Sequence, residues 1–247
     1  MRIHDLHGVL NGVDYDNWNP ETDPLIPANY SRNDLRGKAL CKRFLQENFG
    51  LEVSPRLPLF AVVSRLNVQK GLDLIPPALV NLLNRHAQFI LLGTGDSELE
   101  KLFQDLAASF PGRVGVHIAF SNELAHCIEA GADVFLMPSR WEPCGLNQMY
   151  SLRYGTLPLV RATGGLDDTI DNYDPSTGEG TGFKFWKLDV PSLEATMVWA
   201  AETFWDRPDH FRAMQIRAME RRFTWERSAL RYEELYRWAV EKRRHWR

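Results

Sequence analysis

Arg65 and Lys70 stand five residues apart in "SRLNVQKG" (64–71), just after the apolar run "LFAVV". Two cations at that spacing, at a strand end and a helix start, can converge on one anion, with helix N–H groups adding partial positive charge. An Arg and a Lys chosen at random read equally well as solvated surface charges; position tips the balance toward a site. "PSRWEPCGLNQ" (138–148) places Glu142, Cys144 and Gly145 past a second apolar run, "ADVFLMP". Polar and reactive groups at the end of a buried strand call for a ligand. "RATGGLDDT" (161–169) adds Gly164 and Gly165 between a strand and a helix. Side-chain-free backbone there admits a phosphate closely, or makes a plain tight turn.

Other chemistries find less support. "LLGTGD" (91–96) lacks the third glycine of a dinucleotide fingerprint and reads as a turn near the site. "DYD" (14–16) spells a D-x-D pair of the kind that holds a metal, but no His or further acid stands at useful spacing, so solvated loop carboxylates are the better reading. No metal or other cofactor is expected. G-x-S-x-G and Walker sequences are absent. Cys144 has no nearby His to serve as its base, which favours a pocket wall over a nucleophile.

The elements that must hold these groups alternate in type. Strand-like runs at 59–65, "AQFILLGTG", "RVGVHIAF", "ADVFLMP" and "LPLVRA" are separated by helical stretches, among them "SELEKLFQDLAASF", "NELAHCIEAG" and "GLNQMYSLRYG". In "KGLDLIPPALVNLLNRH" the Pro76-Pro77 pair belongs in the first helical turn or at a kink. Such alternation predicts βαβ units and a doubly wound, Rossmann-like parallel α/β sheet of at least five strands. Ligands of these sheets bind beyond the carboxyl ends of the strands. Arg65, Gly93, Phe120, Arg140–Glu142 and Thr163–Gly165 each follow a different strand, so all are expected at one crevice. "DPSTGEGTG" (174–182) is a turn-rich loop, and two or more helices close the chain.

A chain of 247 residues can bury a real core, and its 44% hydrophobic and 25% charged residues are those of a soluble globular protein. Net charge of −3 argues against nucleic acid as a partner, and the basic run "EKRRHWR" at the end reads as a solvated tail. Three irregularly spaced cysteines give neither a disulfide framework nor a zinc pattern, which fits a reducing compartment. No apolar run approaches the roughly 20 residues of a membrane helix, and the first residues show no basic region followed by an apolar one, so no secretory signal is expected. "MRIHDLHGVLNGVD" runs at once into a strand-and-loop pattern, as if the chain began mid-protein. In "FTWERSALRYEELYRWAV", Trp225, Ala229, Tyr232, Leu235, Tyr236 and Ala239 make an apolar helical stripe behind a Thr224 cap.

Taken together, "LNGVDYDNWNP", "AVVSRLNVQKGLDL", "LLGTGD", "PSRWEPCGLNQMYSLRYGTLPLVRATGGLDDTI" and "FTWERSALRYEELY" resemble the C-terminal, nucleotide-sugar-binding half of bacterial glycogen synthases and plant starch synthases, in order and spacing along nearly the whole chain. The resemblance implies the second domain of a GT-B glycosyltransferase. The family transfers glucose from ADP-glucose to the 4-OH at the non-reducing end of an α-1,4-glucan, with retention and without a metal. By that resemblance Arg65, Lys70 and Glu142 are catalytic: the two cations hold the departing diphosphate, and Glu142 holds glucose hydroxyls and steadies charge on the ring. Cys144, Gly145 and Leu146 line the sugar and phosphate pocket, Asn11 lies near the sugar, and Gly164 and Gly165 lie close to the donor. Phe120 takes the place of a tyrosine that stacks on adenine, and Asn147 stands where some members carry Thr near the phosphate.

The same resemblance implies residues 1–222 as the nucleotide-sugar domain and 223–247 as a helix crossing toward an N-terminal domain. That domain, with its Lys-x-Gly-Gly segment and its glucan-acceptor surface, is absent from this chain, so the 247 residues alone are expected to be an inactive half. The setting would be a bacterial cytoplasm or a plastid stroma, without membrane partners. Two alternatives stand beside it: a non-catalytic nucleotide-sugar or glucan-binding module, and a related UDP-glucose-dependent transferase. A pure binder has no need of Glu142.

Overall fold

A computed structural model of the chain describes residues 5–245. Six parallel strands form one sheet in the order β3-β2-β1-β4-β5-β6: β1 (Leu59–Val63), β2 (Gln88–Gly93), β3 (Val114–Ile118), β4 (Val134–Met137), β5 (Leu157–Arg161) and β6 (Phe183–Phe185). The first five match the strands expected from sequence; β6 is an addition. Phe60 lies between Phe89 on β2 and Val134 on β4, and Val134 pairs with Leu157 on β5. The central strands are buried along their length, which is why they read as unbroken apolar runs.

Local chemistry sets the helices. In α2 (Ile75–Asn84) the two prolines sit in the first turn, where no intrahelical N–H is lost, and Ile75, Leu79 and Leu82 face the core. Asp96 caps α3 (Ser97–Ser109) by accepting from the Glu98 and Leu99 N–H groups, and Leu99, Phe103 and Leu106 are buried one turn apart. Ser121 caps α4 (Asn122–Gly131) through Leu124 N–H. Beyond these lie α5 (Asn147–Tyr154), α6 (Gly165–Thr169), α7 (Val190–Asp206), α8 (Pro208–Glu220) and α9 (Trp225–His245). α2 packs on α7 and α5 on α8.

The N-terminal region departs from expectation. Residues 1–4 lie outside the described residues, and 5–35 run as turns and loop rather than a strand. An unforeseen helix, α1 (Arg36–Asn48), then packs on α4. Its inward face carries Lys38, Lys42 and Gln46, each paired: Lys38 Nζ donates to Ala130 O, Tyr154 O and Thr156 Oγ1, Lys42 Nζ lies 2.6 Å from Asp133 Oδ2, and Gln46 Nε2 donates to Gln88 Oε1 at 2.8 Å. A polar inner face hid the apolar periodicity.

The early loop is anchored to the end of the chain. Val13 N–H donates to Phe223 O at 2.7 Å, Ser228 Oγ donates to Leu10 O at 2.7 Å, and Lys242 pairs with Asp5. Asp14 closes a local turn, accepting from Asp16 N–H and from the Asn17 side chain. Thr224 caps α9 as expected, accepting from Arg227 N–H at 3.4 Å. The α9 surface leaves Trp225, Leu230, Tyr236 and Val240 exposed. The basic run at 241–247 continues α9 to His245, and its last two residues lie outside the described residues. Among the described residues no helix is long and apolar enough to cross a membrane.

Candidate functional site

The strand order reverses between β1 and β4. Connections leave β1 toward β2 and β3, then cross back to β4, so the two carboxyl ends diverge and open a crevice. A cavity of about 570 Å³ lies there. Arg65 and Lys70 line it from beyond β1, Glu142, Cys144, Gly145 and Leu146 from beyond β4, Asn147 from the start of α5, and Asn11 from the N-terminal loop. Eight of the eleven residues singled out in the sequence therefore meet at one switch point.

A short 3-10 turn, Val68–Lys70, begins at Asn67, whose Oδ1 accepts from Lys70 N–H at 3.1 Å. It delivers Lys70 Nζ to Glu142 Oε2 at 2.5 Å. Ser139 Oγ lies 3.3 Å from the same oxygen. Glu142 is only 8% exposed, and its hydrogen bonds among the described residues both fall on Oε2, leaving Oε1 unengaged. That oxygen keeps its lone pairs free to accept a hydrogen bond. Arg65 is exposed, and its guanidinium makes no hydrogen bond or ion pair among the described residues, so it is open to an anion.

The Glu142 loop is braced from several sides. Arg140 turns away from the crevice and forms a two-pronged pair with Asp73 at 2.7 and 2.8 Å, which holds the Asp73 carboxyl below its ordinary range. Arg161 Nε donates to Ser139 O at 2.7 Å. Asn147 Nδ2 donates to Val63 O at 2.8 Å, pinning the first turn of α5 to the end of β1. One of its two side-chain N–H donors is thus engaged with protein backbone. Asn11 N–H donates to Cys144 Sγ at 3.3 Å, which ties the N-terminal loop to the cavity wall.

Gly164 and Gly165 line neither this cavity nor its neighbour. Gly164 has φ +48°, and a Cβ there would stand 2.2 Å from Glu142 O. Gly165 N–H is shared between Glu142 O at 3.3 Å and Pro143 O at 3.2 Å. The glycine pair backs the Glu142–Cys144 loop from behind, a close approach that a side chain would block. Instead of lying open to a phosphate, the Gly165 N–H is spent on that loop.

A second cavity, about 280 Å³, adjoins the first through Val63, Ser64, Arg65 and Asn147. It runs over the ends of β2 and β3, where Gly93 and Phe120 line it, and Phe120, 90% exposed, stands at its mouth. Three further wall residues, Trp18, Glu129 and Tyr150, went unnoticed in the sequence. Trp18 is stacked between Tyr150, 3.9 Å centroid to centroid, and His126, 3.8 Å. His126 Nδ1 in turn lies 2.8 Å from Asp23 Oδ2, which also accepts from Tyr154 Oη at 2.5 Å. A tryptophan in a loop and a glutamate on a helix carry no spacing signal that would have joined them.

Fold and site define a class: the chain belongs to the glycosyl transferases group 1 family, which it matches over residues 46–187. Within it the chain is similar to bacterial glycogen synthases. It is 53% identical over 242 residues to glycogen synthase 1 of Geobacter metallireducens, covering 98% of this chain and 48% of that protein. With the glycogen synthase of an Anaeromyxobacter species it shares 52% over 236 residues, 96% of this chain and 49% of the other. Among solved structures, the catalytic domain of starch synthase IV from Arabidopsis thaliana, bound to ADP and acarbose, superposes with a TM-score of 0.88 at 35% identity, over 95% of this chain and 49% of that one. The Anabaena HepE structure, at 17% identity and a TM-score of 0.66 over 92% of this chain and 56% of that one, shares the fold. The chain spans about half the length of the curated relatives it matches.

Proposed function

We propose that this chain is the donor-binding side of a retaining glucosyltransferase that moves glucose from ADP-glucose to the non-reducing end of an α-1,4-glucan. The observation that carries the reading is the meeting of Arg65, Lys70 and Glu142 at the switch-point cavity, beside a slot walled by aromatic side chains. A nucleoside diphosphate gathers negative charge as it leaves, and fixed cations in a water-poor crevice stabilise that charge more strongly than bulk water would. Arg65 and Lys70 supply two such cations. Glu142 Oε1 accepts from glucose hydroxyls, and its carboxylate steadies positive charge on the ring. Phe120, at the mouth of the second cavity, offers a face to adenine.

ADP in the starch synthase neighbour supports ADP-glucose over UDP-glucose. Bacterial relatives also favour a cytoplasmic setting over a plastid one. α9, with its exposed Leu230, Tyr236 and Val240, is the element from 223 onward that we assign to contact with an acceptor-binding domain, leaving 1–222 as the donor domain. Bringing acceptor to donor is worth roughly 7–11 kcal/mol of barrier, so the chain by itself should bind donor without measurable glucan elongation. The test is transfer of labelled glucose from ADP-glucose to glycogen by this chain joined to the remaining half of the Geobacter metallireducens enzyme. A folded fusion that binds ADP-glucose and transfers nothing would sink the transferase reading and leave a binding module.

A further inference from the structure

Besides Arg65 and Tyr150, the second cavity is lined by one carboxyl. Glu129, on α4, is 2% exposed yet lines the cavity. Its Oε2 lies 2.6 Å from Ser151 Oγ, and that hydroxyl also lies 2.8 Å from Asn147 O. A hydroxyl has one proton, and a carbonyl can only accept. Both contacts are satisfied at once when the Glu129 carboxyl carries a proton on Oε2 and donates it to Ser151 Oγ, which donates its own to Asn147 O. Burial also pushes this carboxyl up to about 8, which favours the neutral form at neutral pH. Oε1 is then a carbonyl-like acceptor. The side-chain hydrogen bond of Glu129 among the described residues falls on Oε2, which leaves Oε1 unengaged.

An unpaired acceptor on the wall of an apolar slot calls for a donor from the ligand. Adenine carries an exocyclic amino donor where guanine and uracil carry a carbonyl oxygen. We propose that Glu129 is a specificity-determining residue that reads the 6-amino group of a purine through Oε1. The inference rests on the donor-site reading above and adds to it the group that selects the base. A 6-oxo base would set oxygen against oxygen there, and a site built for a hydrogen bond rejects a ligand unable to make it.

Calorimetric titration of the 247-residue chain with ADP and with IDP, which differ in carrying an amino or an oxo group at purine C6, separates the possibilities. ADP should bind about tenfold more tightly, the size of one good neutral hydrogen bond. Glu129→Leu, or Glu129→Ala where the leucine does not fold, should bring the two affinities within about twofold. Glu129→Gln keeps a carbonyl-type acceptor and should keep the preference for ADP. Equal affinities in the wild type overturn the inference and leave the donor site standing, as does a preference that survives Glu129→Leu or Glu129→Ala. Loss of the preference in a folded Glu129→Gln overturns the neutral-acceptor assignment. Failure to bind either nucleotide removes the donor-site reading and this one with it.

Discussion

Lys70 Nζ donates to Glu142 Oε2 at 2.5 Å, joining the segment after β1 to the segment after β4 across the point where the sheet reverses. The pair fixes a carboxylate within reach of a cation that is only partly buried, so Lys70 can serve Glu142 and an incoming anion together. Arg65, exposed and unpaired among the described residues, has no such second duty.

That difference predicts two distinct mutants. Arg65→Ala and Lys70→Ala should each weaken ADP binding by about 1.5–3 kcal/mol, the range of a hydrogen bond to a charged group, and the wild-type affinity should fall with added salt. In denaturant, Lys70→Ala should also lose about 1–3 kcal/mol of stability, because a nearly buried carboxylate is left without its cation. Arg65→Ala should stay within about 0.5 kcal/mol of wild type. Equal stability losses in the two variants would contradict the assignment.

Gly164→Ala tests the brace behind the loop. At φ +48°, with a Cβ 2.2 Å from Glu142 O, alanine forces the backbone at 142 to move. We expect a loss of about 1–3 kcal/mol in stability and weaker ADP binding, although Gly164 lines neither cavity. Unaltered affinity in a destabilised variant would show that the Glu142 loop holds its place without this glycine.

Glu129 makes stability depend on pH. Burial raises its carboxyl from the ordinary 4.5 to about 8, against the lowering effects of the Ser151 bond and the Lys38 charge. A folded value above the unfolded one gives a contribution fully present below pH 4.5 and lost as pH rises through about 8. The slope in that window approaches about 1.4 kcal/mol per pH unit. Lys38, lowered by burial from 10.5 to about 8, contributes in the opposite sense and mainly above the window. Glu129→Gln has no proton to lose, so its stability relative to wild type should climb between about pH 5 and 7.5. A parallel pair of pH–stability curves would show a carboxyl that is ionised throughout.

The exposed side of α9 should make the chain sticky. Leu230 and Tyr236 are 63% and 69% exposed on a helix that also bares Val240. Sedimentation at rising concentration should show self-association, relieved by Leu230→Glu with Tyr236→Glu, while ADP affinity stays unchanged. A chain that remains monomeric at every concentration would count against this face as an interface.

Much of this arrangement could be read from residues alone, and the remainder has physical reasons for being hidden. Buried parallel strands show as apolar runs, and Thr224 marks the start of α9 through its own side-chain acceptor. Lys38, Lys42 and Gln46 concealed α1 because its inner face is held by ion pairs and hydrogen bonds. β6 is three residues long, too short for periodicity. At the site, groups following β1 and β4 were legible from the rule of strand ends. Gly164 and Gly165 were placed near the right loop but on its far side, since sequence cannot say whether a bare backbone faces a ligand or a neighbouring chain segment. Trp18 and Glu129 come from a loop and a helix distant in sequence and meet only through the fold.

On the proposed reading this crevice holds ADP-glucose through Arg65 and Lys70. Its most direct test is calorimetric titration of the 247-residue chain with ADP-glucose and UDP-glucose, repeated on the Arg65→Ala, Lys70→Ala double variant. ADP-glucose should bind saturably, about tenfold tighter than UDP-glucose where one base-specific hydrogen bond separates them, and binding should be undetectable in a double variant that stays folded. Absence of saturable ADP-glucose binding, or binding that survives removal of both cations, would contradict it.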